Sequence, residues 1–339
     1  MDSIEPSTLD IVEDQLAVDS PIVQTLTSEY YLPEFREIIQ LEPHQRRILN
    51  AAFQEKEPGQ LKYSTIVYSC PKKSGKTEVA GGVTYSYVRT YGGNCYSIAN
   101  DKDQSRSRMF ERVVDSLRVM ATKNPDLYAE VIDPANFDRI TKGNKIAFSP
   151  NDQSNPGPHW LQYIASDYAG EAGGMPSLTV WDELWAYRTQ SAYRLWDEMQ
   201  PIPTIPSSIR FITTYAGWHG ESELLWSIYN AVVKPHPYTG EPEGQRVPGL
   251  EDLPCYEMGG YFVYWDHTAR MPWHTPEFME NAKDDPSLEG RESEFRRIWE
   301  NRWTTGMDAF IDIEVIDGLM ELGEELKMYN RFDRYESVV

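Results

Sequence analysis

The chain has few of the residues that mark secreted, zinc-binding or membrane-spanning proteins. Its 339 residues include only three cysteines, and Cys70, Cys95 and Cys255 are too scattered for a disulfide framework or a zinc site. No stretch of about 18 apolar residues occurs, so we expect no membrane span. The acidic N-terminus lacks the basic and apolar regions of a secretory signal. These absences predict a protein of a reducing cytoplasm.

Positive charge is also scarce. Lys and Arg number 32 against 53 Asp and Glu, which gives a formal net charge of −21. Because phosphate contacts require a basic surface, this balance argues against a protein that wraps nucleic acid around itself. It is compatible with a motor that touches DNA through a few side chains in a channel. Apolar residues make up 40% of the chain, enough for a sizeable core.

Short β-branched segments alternate with helical segments along the chain. The expected strands are 64–69, 94–99, 144–148, 162–165, 178–181, 209–214 and 261–265. The expected helices are 43–55, the stretch after Lys76 to about residue 89, 101–120 with Asp101 as its N-cap, 276–283 and 288–299. This alternation predicts an α/β fold with a mostly parallel central sheet flanked by helices.

The strongest chemical signal is CPKKSGKT at residues 70–77, between an expected strand and an expected helix. A phosphate-binding loop needs backbone N–H groups at a helix N-terminus, a glycine, a lysine for the β/γ-phosphates and a hydroxyl for Mg²⁺. Cys70 stands where the strict pattern has its first glycine, and a surface turn is the alternative interpretation. We expect the nucleotide to be bound by Lys72, Lys73, Ser74, Gly75, Lys76 and Thr77, with Thr77 also a metal ligand.

A second signal is LTVWDE at residues 178–183, an apolar strand that ends in two carboxylates. Ligands of open α/β sheets bind at the carboxyl edge of the strands, so these groups are expected beside the phosphate loop. We expect Asp182 to hold Mg²⁺ and Glu183 to orient and deprotonate the attacking water. By itself, the same pattern is an ordinary strand end.

Weaker signals add further candidates. A hydroxyl of Thr213-Thr214 at the end of the next strand is suited to contact the γ-phosphate, and Thr214 is our catalytic candidate; an ordinary strand end is the alternative. The Gln45 amide is a paired donor and acceptor that suits the adenine edge. The alternative interpretation is a surface position at a helix N-terminus without a binding role. Transition-state charge also needs a cation, for which Lys72, Lys73, Arg106 and Arg108 are candidates in cis or in trans.

Taken together, these residues resemble the ATPase domain of phage terminase large subunits, from about Leu41 to Asp312. The segments that carry the resemblance are LEPHQR at 41–46, CPKKSGKT at 70–77, VWDELW at 180–185 and TTYAG at 213–217, with similar stretches at 99–104 and 300–303. The resemblance implies a RecA-like P-loop fold of the type with an additional strand and a catalytic glutamate. Some relatives carry an arginine before the Asp-Glu strand. Residues 166–177 contain none, so Lys73 is our first choice for the charge-stabilising role.

The resemblance also implies a function. ATP hydrolysis to ADP and phosphate, with Mg²⁺, would drive double-stranded DNA into a procapsid. The implied partners are the portal protein, the small terminase subunit and further copies in a ring, a pentamer when docked on the procapsid and a monomer in solution. The implied location is the host cytoplasm and, transiently, the portal vertex, with no membrane.

The expected organisation is a flexible acidic arm over 1–30, a P-loop ATPase domain over 31–312 with a lid- or linker-like subregion from about 234, and a linker over 313–339. Because the chain stops where the family's nuclease domain would begin, we expect no nuclease activity. The alternatives are another nucleic-acid-dependent P-loop ATPase, such as a helicase, and a nucleotide-binding module without hydrolysis. A helicase would need a second RecA-like domain, and no second strand–helix series follows Asp266.

Overall fold

The structure, a computed structural model, describes residues 18–99, 106–132, 144–149, 159–165, 175–288 and 291–305. Small hairpins pair β1 (Tyr31–Leu32) with β2 (Glu37–Ile38) and β3 (Glu55–Glu57) with β4 (Gln60–Leu61). Within these ranges the main sheet has nine strands: β5 (Thr65–Ser69), β6 (Asn94–Ala99), β7 (Lys145–Phe148), β8 (His159–Ala165), β9 (Pro176–Asp182), β10 (Ile209–Thr214), β11 (Gln245–Arg246), β12 (Cys255–Met258) and β13 (Tyr261–Trp265).

The order of strands in this sheet is β11-β12-β13-β5-β10-β9-β6-β8-β7. All neighbouring pairs from β13 to β8 are parallel, and the antiparallel pairs lie at the two edges. The predicted mostly parallel α/β sheet is confirmed. β10 is inserted between β5, which leads into the phosphate loop, and β9, which ends in Asp182. This insertion is the additional strand expected of the P-loop class.

Helices cover both faces of the sheet. They are α1 (Pro21–Glu29), α2 (Pro43–Ala52), α3 (Lys76–Thr90), α4 (Glu111–Lys123), α5 (Pro125–Val131), α6 (Gln190–Glu198), α7 (Glu223–Val232), α8 (Pro276–Lys283) and α9 (Glu292–Trp299). Side chains alternate along a strand, so Val180 packs in the core beneath α1 to α4 and Trp181 in the core beneath α6 and α7. The sheet is thus buried on both faces, as parallel sheets require.

The N-terminal part of the described chain corrects one prediction. Residues 1–30 were expected to form a flexible arm, yet Pro21–Glu29 form α1, with the Ser20 hydroxyl accepting from Val23 N at 3.4 Å as the N-cap. Leu26 is fully buried and lies so close to Gly82 of α3 that a Cβ there would overlap it. Apolar residues at helical spacing carry this contact, whereas the prediction weighed the acidic composition. Residues 1–17 lie outside the described residues.

Other boundaries also differ from expectation. The expected surface loop over 234–256 contains β11 and the start of β12, which extend the sheet beyond β13. The expected helix over 101–120 is a π-helical turn at Arg106–Phe110 followed by α4. Its predicted cap Asp101 and the expected linker over 313–339 lie outside the described residues.

Truncation of Leu26 tests whether α1 belongs to the core. Leu26→Ala is expected to lower the free energy of unfolding by about 2–5 kcal/mol, because it leaves a cavity against Gly82. Ser28→Ala on the exposed face of the same helix is the matched control and is expected to change stability by less than about 0.5 kcal/mol. Urea denaturation of both variants measures the difference, and equal midpoints would show that α1 is dispensable.

Candidate active site

The loop at residues 70–75, the predicted phosphate loop, joins β5 to α3 through two residues in the left-handed region of backbone space. Lys73 has φ +67° and Gly75, the N-cap of α3, has φ +74°. Glycine adopts such a conformation without a Cβ penalty, whereas Lys73 is strained there. The turn leaves the first N–H groups of α3, at Lys76 and Thr77, at the start of a fifteen-residue helix, where an anion is stabilised.

Lys76 lies inside this loop rather than in solvent. Its side chain is buried, and Nζ donates to the carbonyl oxygens of Cys70 at 2.7 Å and Pro71 at 3.1 Å. The ammonium also lies 4.9 Å from the ring centroid of Tyr215, just beyond β10. The cation is therefore held at the carboxyl edge of the sheet, with bonds that an incoming phosphate oxygen can replace.

The two predicted carboxylates lie at the carboxyl end of β9, the strand that pairs with β10 in the sheet. Asp182 is buried, and its Oδ1 accepts from the Thr213 hydroxyl at 3.3 Å. Glu183 has φ +55°, its N–H donates to the Thr213 carbonyl at 2.7 Å, and its Oε2 accepts from the Trp185 indole at 2.8 Å. A left-handed conformation in a glutamate costs about 1–3 kcal/mol and is typical of functional sites.

Burial and nearby cations act in opposite directions on these carboxyls. Burial raises the pKa of Asp182 above its ordinary range, and Arg108, with Nη1 3.6 Å from Oδ2, works against that rise. Burial likewise raises the pKa of Glu183, and the Lys76 ammonium opposes it. A carboxylate with a raised pKa is a better proton acceptor, which suits a general base.

A cavity of about 810 Å³ opens beside the loop. Its lining includes Lys76, Thr77 and Glu183, together with apolar side chains from the β1–β2 hairpin region and from the segment before α9: Leu32, Phe35, Ile39, Met271, Trp273 and Phe278. Ligand pockets commonly measure about 300–1,000 Å³. The combination of a cationic loop, carboxylates and exposed aromatic rings suits a ligand that has both anionic and flat apolar parts.

The chain segment after β13 supports the loop from behind. Lys72 N donates to the Ile298 carbonyl at 2.7 Å, and the Trp273 indole donates to the Lys73 carbonyl at 2.9 Å. His274 Nε2 lies 3.2 Å from the Lys72 carbonyl. These bonds satisfy the loop backbone and fix the strained turn at Lys73. Sequence reasoning missed them, because the partners lie about two hundred positions apart.

Asn301 connects the ends of three parallel strands. It is fully buried with φ +53°, just after the end of α9. Its Oδ1 accepts from Ala216 N at 2.7 Å, and its Nδ2 donates to the Ser69 hydroxyl at 3.0 Å and the Asp266 carbonyl at 2.9 Å. One side chain thus joins the ends of β5, β10 and β13; the resemblance at 300–303 included this residue but gave it no role.

Of the remaining predicted residues, Gln45 lines the cavity and Thr214 is not among the lining residues. Gln45 is buried, not on the surface; its Oε1 accepts from Glu42 N at 3.0 Å and its Nε2 donates to the Ser74 carbonyl at 3.3 Å. The Thr214 hydroxyl donates to the Tyr215 carbonyl at 2.8 Å, so in this strand pair it is Thr213 that contacts Asp182. The adenine role of Gln45 and the catalytic role of Thr214 stay predictions.

Two cations expected in the loop, Lys72 and Lys73, line the cavity and are exposed. Of the arginines offered as alternatives, Arg108 reaches Asp182, and Arg106 lies on the π-helical turn before α4.

The donors present fit a magnesium nucleotide. Thr77 and Asp182 supply a hydroxyl and a carboxylate, the hard oxygen ligands that Mg²⁺ takes. In the described ranges no group of three or more His, Cys, Asp or Glu side chains could hold a metal ion by itself. A Mg²⁺ ion at this edge would depend on phosphate oxygens for the rest of its coordination, as is usual at nucleotide sites.

No protein-family model matches the sequence, and no curated protein matches it. Among solved structures, the large terminase of bacteriophage HK97 superposes with a TM-score of 0.55 and 14% sequence identity, over 84% of this chain and 56% of that one. The chain has the large-terminase fold. The ATPase domain of the Thermus phage P74-26 large terminase is also similar, with a TM-score of 0.45 and 12% identity over 78% of this chain and 99% of that one.

The predicted large-terminase resemblance is confirmed at the level of the fold. The chain spans little more than half the length of the HK97 protein. At 14% identity a shared fold does not carry an activity, so the function of this large-terminase fold is argued from its site.

Loss of the Asn301 side chain is expected to destabilise the whole carboxyl edge. Asn301→Ala leaves the buried Ala216 N–H without its acceptor and places alanine at positive φ, so the free energy of unfolding should fall by about 2–4 kcal/mol. Asn281→Ala on the exposed face of α8 is the matched control and should stay within about 0.5 kcal/mol. Chemical denaturation with guanidinium distinguishes them, and an unchanged midpoint for Asn301→Ala would contradict the assigned role.

Proposed function

We propose that this chain is an ATP hydrolase, the motor ATPase domain of a viral large terminase, which couples ATP turnover to translocation of double-stranded DNA into a procapsid. The observation that carries the proposal is the convergence of Lys76 in the phosphate loop and Glu183 at the end of β9 on one cavity. A binding module needs the lysine, the loop and a metal ligand such as Asp182, but it has no use for a second carboxylate, Glu183, beside them. This pairing favours hydrolysis over binding alone.

The binding step follows from the loop. The N–H groups at the start of α3 and the Lys76 ammonium would hold the β- and γ-phosphates, with the ammonium exchanging its bonds to Cys70 and Pro71 for phosphate oxygens. Lys72 and Ser74, in the same loop, are proposed to complete the phosphate cradle. Mg²⁺, held by Thr77 and Asp182, would withdraw charge from the phosphate oxygens.

The chemical step is assigned to Glu183. Its carboxylate would accept the proton of a water molecule as that water attacks the γ-phosphorus, and ADP would leave. The indole of Trp185 and the backbone bond to Thr213 fix its orientation before substrate arrives. Thr214 is proposed to report the loss of phosphate to the Tyr215–Trp218 segment, through its bond to the Tyr215 carbonyl.

The base of the nucleotide is proposed to lie towards Gln45. The Gln45 amide holds the Glu42 N–H and the Ser74 carbonyl. Exchange of these bonds for an adenine edge would therefore link base binding to the loop. The partners proposed for the motor are double-stranded DNA, the portal protein, the small terminase subunit and copies of this chain in a pentameric ring.

The proposed setting is the host cytoplasm and the portal vertex. Among the helices that the structure describes, none has the length and apolar composition of a transmembrane span.

Replacement of Glu183 tests the enzymatic assignment. Glu183→Gln keeps the side-chain volume and an acceptor for Trp185 but removes the base, so kcat for ATP should fall about 10²–10⁴-fold with ATP still bound. Glu198→Gln on the exposed face of α6 is the matched control and should keep wild-type turnover. Phosphate release measures kcat, and binding of a non-hydrolysable analogue measures affinity. Full turnover in Glu183→Gln would exclude the mechanism. If the wild-type chain binds the analogue but does not hydrolyse ATP, even with DNA and partners added, the result would favour the binding module.

A second pair of variants locates the cation that stabilises transition-state charge. We propose Lys73, whose strained backbone is held by Trp273 beside the cavity, and expect Lys73→Ala to lower kcat about 10²–10³-fold with little change in affinity for ATP. Lys56→Ala in the exposed β3 is the control. Arg108→Ala is the competing variant, because Arg108 lies beside Asp182. A larger loss of kcat in Arg108→Ala than in Lys73→Ala would move the role to the arginine.

A further inference from the structure

Arg297 is the one buried cation of α9 among the described residues, and the catalytic scheme above does not use it. Its side chain is 3% exposed. Nε and Nη2 donate to the two carboxylate oxygens of Glu294 at 3.0 and 2.8 Å, and Nη1 donates to the Ala216 carbonyl at 3.2 Å. A planar guanidinium can donate to a carboxylate through two nitrogens and to a carbonyl through the third, an arrangement that we call the fork. A lysine ammonium cannot reproduce it.

Three aromatic rings surround the guanidinium. Its Cζ lies 4.1 Å from the ring centroid of Trp185, 4.8 Å from that of Trp218 and 5.0 Å from that of Tyr215. Stacking of a cation on an aromatic face fixes the plane of the ring as well as its position. Trp185 also stacks on Tyr215, with centroids 6.0 Å apart and 22° between the planes.

The N–H edge of the Trp185 indole faces Glu183, the proposed general base. Trp185 Nε1 donates to Glu183 Oε2 at 2.8 Å, and the Trp185 carbonyl accepts from the Ser222 hydroxyl at 2.8 Å. The backbone of Trp185 is therefore held by Ser222 and its ring by Arg297. In the structure, the Glu183 carboxylate accepts its side-chain hydrogen bond from a ring that contacts Arg297, Arg188 and Tyr215.

We infer that Arg297 is a positioning residue for Glu183, which acts through the indole of Trp185. This inference rests on the proposed hydrolytic role of Glu183 and adds the groups that aim its carboxylate. Arg297 is not among the residues that line the cavity, and it approaches that lining through the Tyr215 ring. Its loss should therefore lower kcat while leaving the KM for ATP nearly unchanged.

Two single substitutions test separately the hydrogen bond from Trp185 to Glu183 and the contact of Arg297 with the Trp185 ring. Trp185→Phe keeps the ring on Arg297 but removes the N–H donor, and Arg297→Lys keeps the charge but removes the planar fork. Each should lower kcat about tenfold to a hundredfold, because a misplaced catalytic group loses rate on that scale. Arg302→Lys, an exposed arginine beyond the end of α9, is the matched control and should keep the wild-type kcat.

The double variant distinguishes positioning from a merely structural role. If Arg297 acts through Trp185, the loss of kcat in Trp185→Phe with Arg297→Lys should not exceed the larger single loss. Losses that multiply, or a rise in KM equal to the fall in kcat, would overturn the inference. Should Arg297→Lys fail to fold by thermal melting, Glu294→Gln, which weakens the same fork, replaces it in the cycle with the same expectations.

A structural readout keeps this test separate from that of the proposed function. A wild-type chain without ATP turnover would count against the hydrolase. A crystal structure of Arg297→Lys or Glu294→Gln should in any case show the Trp185 ring and the Glu183 carboxylate displaced. Both groups in their wild-type positions would overturn the positioning role, whether or not turnover is measured.

Discussion

One buried and one half-buried carboxylate beside a buried ammonium set the constraint on which the rest of this structure depends. Charges removed from water are costly unless they are paired and hydrogen-bonded. Asp182 and Glu183 therefore require the donors that surround them: the Thr213 hydroxyl, the Trp185 indole and the nearby cations Lys76 and Arg108. The parallel register of β5, β10 and β9 brings these groups to one edge.

That edge is completed by residues from distant parts of the chain. The segment that follows β13 satisfies the backbone of the phosphate loop at Lys72 and Lys73, and Asn301 bridges the ends of β5, β10 and β13. A strained loop persists only where its surroundings over-determine it. The stretch from Trp273 to Asn301 provides those surroundings, so the site depends on the tertiary fold rather than on the loop alone.

Arg297 connects this edge of the sheet to α9. It joins α9 to Trp185 on one side and to the Ala216 carbonyl after β10 on the other. Lys76 lies against Tyr215, a ring of the same cluster. Helix α9 and the segments that follow β9 and β10 are therefore connected by one set of aromatic rings.

The sequence by itself determined the features that local pattern can specify: strands alternating with helices, the loop at 70–77, the carboxylates after an apolar strand and hence the parallel sheet. It left the contacts between distant segments undetermined. The burial of α1, the antiparallel edge of β11 and β12, the bonding of Gln45, the closer approach of Thr213 than Thr214 and the roles of Asn301 and Arg297 all depended on the tertiary structure. The physical reason is that hydrophobic period and turn chemistry act over a few residues, whereas a buried polar group is satisfied by whichever donors the fold brings to it.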